Sequence, residues 1–285
     1  MALPEAMVRL RLDLAYDGTD FHGWARQKDP QLRTVQAVVE DAFSLVLRVP
    51  VALTVAGRTD AGVHASGQVA HCDIPASALE QRSIDGDPAR LVRRMSRLLP
   101  EDIRLSACTL APEGFDARFS ALRRHYRYRV TTASAGVLPT RVRETAWWAK
   151  PVDVQAMQRC ADELIGLHDF AAFCKARPHA TTVRDVQSFV WRDISTPTQP
   201  QLYEAQVSAD AFCWSMVRSL VGCCLVVGEG RREAGFAAEV LELRSRSSRV
   251  PVAPACGLDL VGVEYPDAAE LAARAEVTRA RRSLS

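Results

Sequence analysis

Three observations predict an α+β chain of two packed domains, each built on a mainly antiparallel sheet with helices. At 285 residues the chain is too long for one small core. Segments of strand period and helix period mix without strict β-α-β alternation, which favours antiparallel pairing. The order of elements then partly repeats about residues 117–122, with roughly four strands and at least two helices on either side. Domains are therefore expected over residues 1–118 and 119–266. Residues 267–285, rich in Ala, Glu and Arg, are expected to form a loosely held tail.

The first element is a half-buried strand, because Val8, Leu10, Leu12, Leu14 and Tyr16 alternate with Arg9, Arg11, Asp13 and Ala15. Residues 17–28 hold Gly18 and Gly23 and read as a loop. Thr34 caps a helix whose apolar stripe is Val35, Val38, Val39, Ala42, Phe43, Val46 and Leu47. Residues 51–56 and 68–74 are strands, and the glycine-rich GRTDAGVHASG between them is a turn or loop. Asp87-Pro88 opens a helix through Leu99, and residues 103–110 form a fourth strand.

The second half begins with a strand at 124–131, with Tyr126, Tyr128 and Val130 on one face and Arg127 and Arg129 on the other. Asp153 caps a helix running to Gly166, and strands at 183–192 and 202–209 pair around a turn-rich segment. Residues 214–227 are a helix apolar nearly all round, and 258–265 the last strand.

Composition narrows the function class without naming it. Apolar residues make up 48% and charged residues 25%, as in globular proteins, and no apolar run is long enough to span a bilayer. The N-terminus lacks a secretory signal pattern. The eight cysteines show no C-x-x-C pairing and lie mostly in apolar stretches, which predicts buried reduced thiols in a cytoplasmic protein. Net charge is only +2, yet arginines cluster at 90, 93, 94 and 97, at 118, 123, 124, 127 and 129, and at 244, 246 and 249. Arginine forks suit phosphate, although for any single cluster a solvated surface balanced by acids elsewhere is the plainer reading.

Gly57-Arg58-Thr59-Asp60-Ala61-Gly62-Val63-His64-Ala65 is the stretch richest in chemistry. Glycines flank an Arg-x-Asp and permit close approach of a ligand to the backbone. With two packed domains, an active-site cleft between them is expected, into which Arg58 and Asp60 project. From residue chemistry alone the loop serves as a catalytic site or as an ion-paired turn. A metal is not expected, since the spacing of His64 and His71, with Cys72 and Asp73, fits no common ligand pattern. His22 and Trp24 suit RNA contact or packing about equally; Trp147, Trp148 and Trp191 are read as core or domain-interface residues, and Tyr128 as core packing.

VAGRTDAGVHASGQVAH resembles the signature of the tRNA pseudouridine synthase A family. YDGTDFHGWARQ, FDARFSALRRHYRYRV, DAFCWSMVRSLVGCCLVVGEGR and PACGLDLVGVEYP resemble that family's other blocks, in order, from Tyr16 to Pro266. The resemblance implies that Asp60 is the catalytic aspartate and nucleophile, that Arg58 helps extrude the target nucleotide, that Tyr126 stacks on the base, and that Arg218 pairs with the aspartate. It further implies uridine-to-pseudouridine isomerisation at nucleotides 38 to 40 of the tRNA anticodon stem-loop, and a homodimer embracing one tRNA. Ser219 departs from the asparagine usual after Met-Val-Arg, and Cys213-Trp214-Ser215 from more usual small or imidazole-bearing residues.

The implied chemistry needs no metal and no small-molecule cofactor, because the N1–C1′ bond breaks and a C5–C1′ bond forms without oxidation. A carboxylate serves by stabilising positive charge at C1′ or by attacking it, and the sequence leaves both routes open. The base lies inside a stem-loop and must be flipped out. Two other classes compete: a tRNA-binding protein without chemistry, and a hydrolytic N-glycosidase releasing free base.

Overall fold

The computed structural model describes residues 6–175, 181–243 and 245–279; Arg244 and residues 280–285 of the expected tail lie outside them. Its strands are β1 (Met7–Tyr16), β2 (Thr54–Val55), β3 (His64–Pro75), β4 (Ile103–Leu110), β5 (Arg123–Thr131), β6 (Ala146–Trp147), β7 (Gly166–Asp169), β8 (Val183–Asp193), β9 (Leu202–Ala209) and β10 (Leu258–Glu264). Its α-helices are α1 (Val35–Leu47), α2 (Arg90–Met95), α3 (Val154–Asp162), α4 (Met216–Gly228), α5 (Phe236–Leu241) and α6 (Leu271–Arg279). The chain divides into two compact units, residues 6–122 with 262–279, and residues 123–261.

In the first unit β1 lies between β4 and β3, antiparallel to both, and β2 adds to β3. Leu10, Leu12, Leu14 and Tyr16 are buried, as the alternation of β1 predicts. Thr34 caps α1, its side chain accepting from the Ala37 N–H, and Val35, Val39, Phe43, Val46 and Leu47 are buried. β3 begins earlier than its apolar pattern suggests, at His64, and a register shift opposes Leu14 to Gln68 but Tyr16 to Ala65. α2 is shorter than expected, ending at Met95 rather than Leu99.

The expected tail is corrected over its described part. α6 belongs to the first unit, with Leu271 joining a buried cluster of Ala56, Val69, Phe115 and Ala117. The Leu271 carbonyl accepts from Ser120 Oγ at 3.0 Å, and Arg279 pairs with Asp116 at 3.3 Å. Two apolar residues one turn apart, Leu271 and Ala275, suffice to dock a helix whose composition otherwise reads as solvent-facing.

His71 of β3 is buried and accepts from the Ala117 N–H through Nδ1 at 3.0 Å. Burial, with the Arg9 charge adding to it, holds its imidazole below the ordinary histidine value. The unfolded chain then binds a proton near pH ~6.5 that the fold resists, so stability is full above that pH and declines as pH falls toward the folded value. His71→Gln, which keeps an acceptor, is expected to flatten the fall of the thermal midpoint between about pH 6.5 and 5. Circular-dichroism melts at fixed ionic strength measure it, and equal slopes would show that His71 carries none of the dependence.

The second unit orders its strands β5-β9-β8-β7, all antiparallel, with β6 parallel to β5. α3 packs on α4 and β8. Asp153 caps α3 as expected, but the helix stops at Asp162, and Gly166, at φ +111°, turns the chain into β7. Gly222 of α4 meets the Pro251 carbonyl so closely that an added Cβ would stand 2.0 Å from its oxygen. One disulfide, Cys174–Cys213, corrects the expectation that all cysteines are reduced: the fold brings two residues 39 apart in sequence to a Cα separation of 5.8 Å, within bridging range.

Candidate active site

The Arg58–Asp60 loop leaves β2 and returns as β3, and the segment after β1 packs against it. Thr59 is buried, Arg58 is exposed and Asp60 half-buried, so the peptide is anchored between two accessible charged side chains. The Thr59 carbonyl accepts from the Trp24 N–H at 3.0 Å, and the Asp60 carbonyl from the Val63 N–H at 3.2 Å. Gly18 and Gly23 make this packing possible. A Cβ at Gly18 would stand 2.0 Å from the Val63 oxygen, and one at Gly23, where φ is +90°, would stand 2.9 Å from the Thr59 oxygen.

Side chains complete the mooring. Tyr16 Oη lies 2.7 Å from Thr59 Oγ1, while Gln68 Nε2 donates to Tyr16 Oη at 3.1 Å and to the Gly57 carbonyl at 2.8 Å. In the sequence Tyr16 stands in an apolar stripe and Gln68 opens a strand, and a polar residue opening an otherwise apolar strand is the signal there. Trp24 is a core residue, its ring 5.9 Å from that of Tyr16, and His22 is exposed.

In the second unit Tyr126 stands on β5 opposite Val207, edge-on to Phe212 with ring centroids 5.1 Å apart. Tyr128, two residues on, is fully buried and donates to the Pro254 carbonyl at 2.9 Å, the packing role expected of it. α4 is buried at every position but one, and that one is Arg218. Its Nε donates to the Ala253 carbonyl at 2.7 Å, and its own carbonyl accepts from the Ala253 N–H at 3.0 Å. Ser219 fits the helix without strain: its Oγ donates to the Ser215 carbonyl at 3.0 Å and accepts from Arg246 at 3.3 Å. Trp214 faces Lys175, whose ammonium lies 4.2 Å from the ring centroid.

The arginine clusters divide by what they touch. Arg127 pairs with Asp259 at 2.8 Å, Arg129 with Glu204 and Glu144 at 3.1 Å, and Arg249 with Glu239 at 2.7 Å. Arg124 is buried and donates to the Asp210 carbonyl at 2.6 Å, so its reading as a phosphate contact is corrected. Arg93 and Arg97 on and after α2 are exposed. Trp147 is also corrected, being 52% exposed where core or interface burial was expected, with its indole N–H donating to the Ala133 carbonyl at 3.1 Å.

His64 Nδ1 accepts from the Gly18 N–H at 3.1 Å and stands equally far from an Asp17 carboxylate oxygen. Asp73 is bound to Arg9 at 2.6 Å, and burial pushes the Cys72 thiol up to about 12. Among the described residues no group of three His, Cys, Asp or Glu is placed to hold a metal ion, and no helix is long and apolar enough to cross a membrane.

Comparison with known proteins agrees with the motifs. A sequence model of the tRNA pseudouridine synthase family matches residues 160–266. The tRNA pseudouridine synthase A of Corynebacterium glutamicum is 68% identical over 277 residues, covering 97% of this chain and 96% of that protein. Those of Mycobacterium leprae and Frankia casuarinae are each 52% identical over 282 residues, covering 97% and 98% of this chain and 96% and 97% of theirs. The chain belongs to the tRNA pseudouridine synthase A family, whose members are isomerases.

Proposed function

We propose that this protein isomerises uridine to pseudouridine at nucleotides 38 to 40 in the anticodon stem-loop of tRNA, with Asp60 as nucleophile. The observation that carries the reading is the moored Gly57–Ala65 loop, which presents a half-buried carboxylate beside an exposed arginine. A protein that only bound RNA would gain little from a carboxylate among phosphates. Asp60 attacks C1′ as the N1–C1′ bond breaks, the base turns, C5 attacks C1′ and displaces the Asp60 carboxylate, and N1 takes up a proton as C5 loses its own. Arg58 fills the space of the extruded nucleotide and Tyr126 offers its ring to the base. Arg218 supplies a cation to the same chemistry. The enzyme works as a cytoplasmic homodimer, which concentrates arginines that look diluted over one chain.

The test is nucleoside analysis of anticodon stem-loop RNA incubated with the protein in excess chelator. Pseudouridine at 38 to 40, located by chemical tagging, supports the reading. Free uracil would mean a glycosidase, and unaltered RNA held tightly would mean a binding protein.

Phosphate contact separates exposed from buried arginines. Arg93→Ala is expected to lower the slope of log affinity against log salt by ~0.7–0.9, one phosphate contact, with saturated turnover unchanged. Arg124→Ala is expected to leave that slope alone and to destabilise the fold by roughly 1–3 kcal/mol, because it strands a buried carbonyl. Filter binding across salt and thermal melts measure the two; a lowered slope for Arg124→Ala would restore it as a phosphate contact.

A further inference from the structure

We propose that Tyr16 and Gln68 are positioning residues that hold the Asp60 loop in its reactive geometry through Thr59 and Gly57. The inference rests on the assignment of Asp60 as the catalytic carboxylate. Gln68 is fully buried, yet all its polar atoms are engaged: Nε2 with Tyr16 Oη and the Gly57 carbonyl, and Oε1 with the Val69 N–H at 3.3 Å. Tyr16 is buried too, and accepting from Gln68 leaves its own O–H to donate to Thr59 Oγ1. The chain of bonds therefore grips the loop at Gly57 and Thr59, on either side of Arg58 and immediately before Asp60.

Geometry favours a catalytic purpose over simple adhesion. The register shift between Leu14 and Tyr16 falls where β3 passes from Ala65 to Gln68, turning the amide of Gln68 toward the loop rather than along the ladder. Apolar residues of the same shape would fill this space with no desolvation cost, since a buried polar pair is close to neutral in stability against an apolar one. What the polar chain adds is direction: a hydrogen bond fixes the Thr59 side chain within a few tenths of an ångström, and the Thr59 carbonyl is fixed separately by Trp24. Asp60, one bond further on, inherits both constraints, and a nucleophile misplaced by about 1 Å loses on the order of a hundredfold in rate.

The test is single-turnover pseudouridine formation at saturating tRNA for Tyr16→Phe, Thr59→Val, Thr59→Ser, Gln68→Leu and Asp60→Asn, with tRNA affinity and melting temperature measured on each. Tyr16→Phe and Thr59→Val are each expected to slow the saturated rate between about ten- and a hundredfold at unchanged affinity. The double variant should be no slower than the worse single, because both remove the same bond. Thr59→Ser, which keeps the hydroxyl, should recover most of the rate. Should Gln68→Leu not fold, Tyr16→Phe and Thr59→Ser decide the matter. Lowered melting temperatures with saturated rates within about twofold of the parent would overturn the proposal and leave these residues as structural. Asp60→Asn distinguishes the remaining case: if it retains turnover, the assignment of Asp60 itself is wrong and the positioning role falls with it.

Discussion

Asp60→Asn is expected to abolish pseudouridine formation while tRNA binds as before. The amide has the shape of the carboxylate, and the loop is held by bonds at the Gly57, Thr59 and Asp60 carbonyls and the Thr59 hydroxyl. The substitution therefore keeps those bonds and replaces the oxygen proposed to attack C1′. Loss of a nucleophile costs at least about a thousandfold, or roughly 4 kcal/mol of barrier. Affinity is set by phosphates and stacking, to which a carboxylate contributes nothing favourable. Single-turnover assays beside filter binding check both halves. Residual turnover within about tenfold of the parent, ~1.4 kcal/mol, would remove Asp60 from the chemistry.

Arg218→Ala is expected to lower saturated turnover about a hundredfold, with affinity within roughly threefold of the parent. The reason lies in α4, where twelve residues are buried and Arg218 alone is not. A helix so enclosed gives its single accessible cation a fixed address, and the Nε bond to the Ala253 carbonyl fixes the plane of the guanidinium. Arg218→Lys should recover little, because an ammonium has no Nε to hold that carbonyl and no planar fork. A salt-dependent loss of affinity with normal saturated turnover would instead make Arg218 one more phosphate contact.

Much of the fold was legible where local chemistry and tertiary structure agree. Thr34 and Asp153 announce their helices because a side-chain oxygen satisfies an orphan N–H whatever lies beyond. β1 and β5 show the period of two that a buried face imposes. β7 escaped notice because four residues, Gly-Leu-His-Asp, are too few to carry a period. α6 escaped because its anchors, Leu271 and Ala275, mean little until a cluster exists to receive them.

The candidate site divides in the same way. Sequence by itself determined the family, through five motif blocks in order, and with it the residues proposed for chemistry: Asp60, Arg58, Tyr126 and Arg218. It could do so because reacting groups keep their identity and their immediate neighbours. Tertiary structure alone decided what each arginine and aromatic is used for. It turned Arg124 inward to the Asp210 carbonyl, left Arg93 in solvent, drew Trp24 into the core and put Trp147 outside it. It alone joined Tyr16 to Thr59, 43 residues on, and Gln68 to Tyr16, 52 residues back. A hydrogen bond is a relation between positions in space, and chain spacing carries no record of it until the sheet register brings the partners together.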